Sequence, residues 1–157
     1  MNHRVKLCLL LVLLLAVMTA IFVFSSQPGD QSQKLSDSLL DRLGKFLSFL
    51  PWIREEPEKR IRKLAHLTEF MCLGLVSELF FHELYIAQEK RLLYGTSVSL
   101  IFCFLYACSD EIHQIFVSGR SCEWKDVLFD STGAVIGVAA SFLIVYLLDR
   151  KAGHAEK

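Results

Sequence analysis

One apolar segment near the start of the chain limits what the protein can fold into. Residues 7–24 contain a single polar side chain, Thr19, and no charged residue. A helix over this segment is about 27 Å long, which approaches the roughly 30 Å hydrocarbon thickness of a membrane. Arg4 and Lys6 precede it, as in a cleaved signal peptide, but the apolar part is long for one and no A-x-A site precedes Ser25. We therefore predict a retained transmembrane helix.

Three further apolar segments, over residues 64–81, 92–108 and 127–148, predict three more membrane spans. The first of these carries His66, Glu69 and Glu78, and the last is interrupted mainly by Asp130. Ionisable residues at membrane depth are costly and commonly functional. The chain is 53% hydrophobic with a mean hydropathy of +0.40, which is high for a soluble domain. We predict an all-α fold, an integral-membrane four-helix bundle.

The connection between the first and second spans predicts an amphipathic helix. Leucine and phenylalanine side chains repeat on one helical face with charged residues opposite. The apolar positions are Leu35, Leu39, Leu40, Leu43, Phe46, Leu47 and Leu50, and the charged ones are Asp37, Asp41 and Lys45. We expect this helix to lie on the extracytoplasmic membrane surface. The chain is thus divided into a first transmembrane helix (1–24), an extracytoplasmic loop with the amphipathic helix (25–60), a three-span core (61–148) and a cytoplasmic tail (149–157).

The charges that flank the spans predict the orientation of the protein. Four spans place both termini on one side, where basic residues outnumber acidic ones, whereas the longer segments on the other side are slightly acidic. Short basic flanks favour the cytoplasm, so we predict a multi-pass protein of the cell membrane with both termini cytoplasmic. Lys+Arg and Asp+Glu both number 17, which leaves no broadly basic surface and argues against a nucleic-acid partner.

Four spans bring polar residues from every span together at one membrane face. The end of the first span, the start of the second, the end of the third and the start of the fourth must lie together there. His66 and Glu69 share a helix face at i, i+3. Asp126 and Asp130 continue the stripe of Gly133 and Gly137, and such small-residue seams face other helices rather than lipid. We therefore expect a polar pocket at this face.

Several interpretations of this pocket remain open. One is a satisfied network that seals the helix ends, in which His66 pairs with Glu69, and Arg120 pairs with Asp126 or Asp130. Another is a metal-free acid–base site, whose catalytic candidates are His66, Glu69, Asp110, Glu111 and His113. A third is binding without chemistry, with the ligand-binding residues Arg62, Lys63, Gln114, Arg120, Asp126 and Asp130. Imidazole plus carboxylate also suits a divalent metal such as zinc or manganese, but the spacing matches no tight metal motif, so we predict no cofactor.

Four ordered motifs carry a resemblance to a known family. They are Ser25-Ser26-Gln27-Pro28-Gly29, Arg62-Lys63-x-x-His66-x-x-Glu69, Ser109-Asp110-Glu111-Ile112-His113-Gln114-x-Phe116-Val117-x-Gly119-Arg120, and Asp126-Val127-x-x-Asp130-x-x-Gly133. Together they resemble the VanZ-like family. Its members are small multi-pass membrane proteins, mainly of Gram-positive bacteria, and the namesake is associated with low-level resistance to the glycopeptide antibiotic teicoplanin. The resemblance implies a class of protein without naming a reaction.

The leading prediction is a cell-envelope protein that binds an anionic lipid or a cell-wall precursor head group in an outward-facing pocket. Arg62, Lys63 and Arg120 would pair with the charge of the head group. Membrane lipids, and among them a lipid-linked cell-wall precursor, are the expected partners. The alternatives are a membrane-embedded enzyme that transfers or hydrolyses a lipid-linked head group, and a non-catalytic membrane scaffold.

Overall fold

The computed structural model describes residues 2–35, 38, 57–85 and 91–155, and within these ranges no strand is present. Four long helices cover most of them. They are α1 over His3–Ser25, α2 over Pro57–Leu84, α3 over Arg91–Gln114 and α4 over Trp124–Ala155. A further helical segment begins at residue 29 and is described as far as residue 35. The predicted amphipathic helix lies largely outside the described residues.

All four long helices have the length and hydropathy of a membrane span, which confirms the predicted all-α, four-span membrane protein. The spans are His3–Ser25, Lys59–Leu84, Leu92–Gln114 and Trp124–Leu148. Three of them extend beyond the predicted apolar segments by about one turn or more. The added turns carry most of the ionisable residues, because a helix continues its backbone hydrogen bonds through charged residues that a hydropathy pattern excludes.

The second helix, α2, occupies the centre of the bundle. It packs against α1, α3 and α4, and its contact with α4 is the most extensive. Large apolar side chains such as Val12, Ile101 and Leu143 instead point outward and are more than half exposed. This distribution suits a lipid surrounding, because hydrocarbon solvates such side chains as well as a protein interior does. The buried core consists of Leu14, Ile21, Phe70, Leu73, Val76, Cys103, Ala107 and Ala134.

Small residues allow α2 and α4 to approach each other closely. A Cβ atom on Gly137 would lie 1.9 Å from the carbonyl oxygen of Met71, and one on Gly133 would lie 2.3 Å from that of Leu67. Neither distance is sterically possible, so both positions require glycine unless the helices separate. The stripe that the sequence predicts from Gly133 and Gly137 is therefore the contact surface between α4 and α2.

Polar contacts fasten the end of the bundle that carries both termini. Glu83 of α2 is 3% exposed and accepts hydrogen bonds from Lys6 Nζ at 2.5 Å and from His3 Nδ1 at 2.7 Å. Glu78, one turn and a half deeper, is fully buried and accepts a hydrogen bond from Thr96 of α3 at 2.9 Å. These contacts tie α1 and α3 to α2 at the end opposite to the predicted pocket.

Gly137→Ala is expected to destabilise the bundle, although alanine is the better helix former. The new methyl group would clash with the Met71 carbonyl, and overpacking of this kind costs about 1–3 kcal/mol, against a propensity gain of at most about 1 kcal/mol. The measurement is the thermal unfolding midpoint of the detergent-purified protein, which we expect to fall. Ala139→Val, on the exposed face of the same helix, is the control. A Gly137→Ala protein as stable as this control would contradict the close contact.

Candidate functional site

The four helix ends predicted to meet do so at the face of the bundle opposite to both chain termini. An open cleft, here called the polar cleft, lies there. It is lined by Arg62, Lys63, His66, Glu111, Gln114, Arg120, Ser121, Asp126, Phe129 and Asp130. Every residue predicted to bind a ligand therefore lines this cleft, together with the catalytic candidates His66 and Glu111. Ser121 and Phe129 carried no signal in the sequence that marked them as lining residues.

A second cleft, here called the apolar cleft, adjoins the first and is open to the surroundings. It is lined by Phe24, Gln27, Ser32, Leu35, Ile61, Arg62, Ala65, His66, Glu69 and Arg120. Arg62, His66 and Arg120 line both clefts and so form the boundary between them. The polar cleft adds three carboxylates and an amide to this boundary, whereas the apolar cleft adds mainly apolar side chains, with Gln27, Ser32 and Glu69 among them. The arrangement has the polarity of an amphiphilic molecule.

Asp110 is the most firmly positioned acidic residue near the polar cleft. It is 4% exposed, and its Oδ2 accepts hydrogen bonds from Ser25 Oγ at 2.8 Å and from Gln114 Nε2 at 2.9 Å. Both donors use the same oxygen, and Oδ1 accepts no hydrogen bond from a described residue. Ser25 was not among the predicted site residues. The sequence feature that could have identified Ser25 is its position in the Ser25-Ser26 pair, which follows the first apolar segment.

Arg120 is largely engaged by the protein itself. Its Nε donates to the Gln27 carbonyl at 3.2 Å, its Nη2 donates to the Phe24 carbonyl at 3.1 Å, and its Nη1 donates to Gln114 Oε1 at 3.3 Å. His66 Nε2 lies 3.4 Å from the same Nη1. The predicted pairing of Arg120 with a carboxylate of α4 is therefore wrong. With five N–H groups, the guanidinium retains little capacity for an additional anion.

Arg120 is placed by a turn that contacts the segment following α1. Gly119 has a φ of 74°, a backbone conformation that residues with a Cβ rarely adopt. The preceding carbonyl, of Ser118, accepts a hydrogen bond from Gly29 N at 3.0 Å. Burial lowers the pKa of the Arg120 guanidinium below its usual value, and the positive charge of Arg62 lowers this pKa further. The two arginines therefore lie close enough to repel each other.

Three predicted site residues already have partners within the protein. Lys63 and Asp126 form an ion pair that joins α2 to the start of α4. Glu111 Oε1 accepts a hydrogen bond from the backbone N–H of Glu123 at 2.7 Å, which fixes the connection between α3 and α4. Arg62 makes no hydrogen bond or ion pair with any residue that the structure describes, and it is the basic residue of the polar cleft with most freedom to bind a ligand.

His66 and Glu69 share a helix face, as predicted, but do not form a hydrogen bond. His66 Nδ1 and Glu69 Oε2 lie 3.8 Å apart, which is within the distance of an ion pair when the imidazole is protonated but beyond hydrogen-bonding distance. Both atoms are buried, and neither has a hydrogen-bond partner among the described residues. A purely structural network would be expected to satisfy such groups, since burial of an unpaired polar atom costs about 1–3 kcal/mol. The unsatisfied atoms of His66 and Glu69 therefore argue against the interpretation in which this pair only closes the helix ends as part of a satisfied network.

Asp130 completes a group of three residues from three helices. Its side chain is 3% exposed, lines the polar cleft and accepts no hydrogen bond from any described residue. One ligand atom each from His66, Asp110 and Asp130 can be chosen so that all lie within 4.8 Å of one another. An imidazole nitrogen and two carboxylate oxygens in this arrangement are able to hold a cation or to share a proton.

The remaining catalytic candidate, His113, lies apart from the other candidates. Its ring stacks on Phe22 with the centroids 4.5 Å apart, and its Nε2 lies 3.0 Å from Ser26 Oγ. The Ser26 hydroxyl already donates to the Phe22 carbonyl at 2.6 Å, so the imidazole is the donor in its contact with Ser26. Hence His113 does not activate Ser26 as a nucleophile in this geometry. His113 lines neither the polar nor the apolar cleft.

Arg120→Gln is expected to loosen the contact between α1 and the connection before α4. The substitution removes the donors to the Phe24 and Gln27 carbonyls, and hydrogen bonds from charged groups are worth about 1.5–3 kcal/mol. We expect the thermal unfolding midpoint in detergent to fall measurably. Lys125→Gln, which removes a charge from an exposed side chain close by, is the control. Indistinguishable midpoints for the two variants would mean that the hydrogen bonds from Arg120 to the Phe24 and Gln27 carbonyls do not stabilise the bundle.

Comparison with known proteins identifies the family. The family described as VanZ/LLP1 matches residues 10–146, a range that begins within α1 and ends within α4. No curated protein and no solved structure matches the chain. The matched range contains the four motifs at the site and most of every membrane span. The chain therefore belongs to the VanZ/LLP1 family.

Proposed function

We propose that this protein binds an anionic head group of a membrane lipid or of a lipid-linked cell-wall precursor at the outer face of the cell membrane. The observation that carries the proposal is the pair of adjoining clefts that share Arg62, His66 and Arg120. A head group in the polar cleft and a hydrocarbon chain along the apolar cleft would match the polarity of the two linings. A site for a small hydrophilic ligand would have no use for the second cleft.

Arg62 is the residue to which we assign the charge of the head group. It lines both clefts and has no hydrogen bond or ion pair within the described ranges. A guanidinium presents a planar set of donors that matches the oxygens of a phosphate. Lys63, although paired with Asp126, lines the same cleft and would add positive charge. The head group therefore carries phosphate, which is common to anionic membrane lipids and to lipid-linked cell-wall precursors.

The acidic side chains define the second half of the proposed site. His66 and Asp130 face the polar cleft, and Asp110 is held beside them by Ser25 and Gln114. These groups would orient polar substituents of the head group, such as sugar or glycerol hydroxyls, by accepting their hydrogen bonds. The family's namesake is associated with teicoplanin resistance. We extend such a role to this protein only if the molecule bound in the clefts is a cell-wall precursor.

Arg62→Gln is expected to weaken retention of a phosphate lipid about 10- to 100-fold, the equivalent of one charged hydrogen-bonding interaction. The measurement is native mass spectrometry of detergent-purified protein with short-chain phosphatidic acid, and in a parallel arm with a short-chain polyprenyl phosphate. The two arms distinguish a general anionic lipid from a wall-precursor carrier. Diacylglycerol, which lacks the phosphate, is the ligand control.

Lys125→Gln is the matched protein control, because its exposed side chain lies near the site but outside both clefts. Equal retention by the wild type and Arg62→Gln would contradict the role of Arg62. A lipid released with an altered mass would favour the enzyme that transfers or hydrolyses a lipid-linked head group. If no phosphate lipid is retained by the wild type, the non-catalytic scaffold is favoured instead.

The proposed outward orientation is testable with a natural cysteine. Cys122 is exposed and lies in the connection at the pocket end of the bundle, whereas the other four cysteines lie within the spans. With both termini in the cytoplasm, a membrane-impermeant maleimide is expected to label Cys122 in intact cells, and Cys122→Ser is expected to abolish this labelling. Labelling that appears only after the membrane is permeabilised would place the clefts on the cytoplasmic side.

A further inference from the structure

We propose that His66, Asp110 and Asp130 form a binding site for one divalent transition-metal ion, and that this ion helps to bind the phosphate of the head group. The inference deepens the proposed function and rests on it for the role of the ion. Binding of the ion itself depends only on the three side chains and is measured without lipid.

The three ligands reach one point from three different helices. His66 belongs to α2, Asp110 to α3 and Asp130 to α4, and their ligand atoms lie within 4.8 Å of one another. Zinc–ligand bonds to nitrogen and oxygen are about 2.0–2.2 Å long, so two ligands of one ion lie roughly 3.4 Å apart in a tetrahedral site. The ligand atoms would need to approach one another by up to about 1.4 Å, which rotations about their χ angles can supply.

The Asp130 carboxylate has no compensating partner in the described protein. It is 3% exposed, yet it accepts no hydrogen bond from a described residue. A buried carboxylate must be paired, protonated or bound to a metal, because an isolated charge is strongly disfavoured away from water. Of the nearby cations, Lys63 pairs with Asp126 and Arg120 donates to backbone carbonyls. Arg62 lines the same cleft but forms no ion pair with Asp130. A divalent ion would neutralise Asp130 and Asp110 together.

The surroundings of Asp110 resemble those of a metal ligand. Ser25 and Gln114 both donate to Oδ2, which fixes the carboxylate and leaves Oδ1 available. Hydrogen bonds of this kind orient metal-ligating carboxylates in proteins, and their loss typically weakens metal binding about 10- to 100-fold. His66 also offers a nitrogen, because its buried Nδ1 has no hydrogen-bond partner among the described residues. Ligation through Nδ1 places the ring proton on Nε2 and so ends the 3.4 Å contact of Nε2 with Arg120 Nη1, a group that can only donate. Each ligand therefore has a nitrogen or oxygen without a protein partner.

The chemistry of the ligands selects the class of ion. One imidazole and two carboxylates suit zinc or manganese, whereas magnesium and calcium prefer ligand sets made only of oxygen. Arg62 lines the polar cleft into which His66 and Asp130 also face. A phosphate there would be able to contact the ion with one oxygen and the Arg62 guanidinium with another. This geometry would explain why carboxylates line a cleft proposed to bind an anion.

The first test is titration of EDTA-stripped, detergent-purified full-length protein with Zn²⁺ and with Mn²⁺ by isothermal calorimetry. We expect one ion per chain, and at least about tenfold weaker binding by His66→Ala and Asp130→Asn. Asp126→Asn makes the same chemical change one helical turn away in the same cleft. Because Asp126 pairs with Lys63, its loss should weaken ion binding no more than about threefold, as expected for a partly exposed charge.

Thermal unfolding separates loss of the site from loss of the fold. Asp130→Asn is isosteric and removes an unpaired buried charge, so its midpoint without metal should equal or exceed that of the wild type. Added metal should raise the midpoint of the wild type but not that of Asp130→Asn. The absence of saturable binding in the wild type, or equal weakening by Asp126→Asn and Asp130→Asn, would overturn the proposal.

A lipid arm distinguishes the two proposals from each other. Short-chain phosphatidic acid should be retained more tightly by wild-type protein with Mn²⁺ or Zn²⁺ than with EDTA, and this difference should vanish in Asp130→Asn. Retention that depends on Arg62 but not on metal would overturn the role of the ion and leave the head-group site in place. Saturable metal binding without any retention of phosphate lipids would overturn the proposed function and leave the metal site in place.

Discussion

The backbone contact between α2 and α4 is the constraint on which the rest of the structure depends. A Cβ on Gly133 or Gly137 would lie within 2.3 Å of a carbonyl oxygen of α2, so the two helices meet without side chains between them. In a lipid surrounding, such packing replaces the hydrophobic effect as the force that joins helices. Because Asp130 is one turn from Gly133, the same contact carries its carboxylate against α2 and α3 rather than into lipid.

The ionisable residues at the pocket end have different roles, which only their contacts reveal. Some fasten the bundle: Arg120 holds the end of α1 through its carbonyls, and the ion pair of Lys63 with Asp126 joins α2 to α4. Others, including Arg62 and Asp130, have no hydrogen bond within the described residues. A bundle that needed only a seal would have paired these groups. Their presence beside two clefts of different polarity is the observation that supports the proposed binding of an amphiphile.

The sequence alone predicted much of the fold and most of the residues that gather at the site. Hydropathy predicted four spans. Because consecutive spans cross the membrane in opposite directions, this number placed His66, Asp110, Arg120 and Asp130 at one face, where the structure also has them. The helix period predicted the Gly133 stripe as a contact surface. These inferences succeed because a membrane admits few solutions: each span must cross it, and each polar side chain must avoid lipid.

The sequence by itself thus determined the number of spans, the membrane face at which the polar residues gather and the helix face that packs. Tertiary structure alone decided which of those residues are bonded to one another. Periodicity within one helix places His66 near Glu69 but cannot fix a distance of 3.8 Å. It also cannot show that Ser25, more than eighty residues away in the chain, holds Asp110. Such contacts join different helices, and they depend on how far each helix is shifted and rotated against its neighbours.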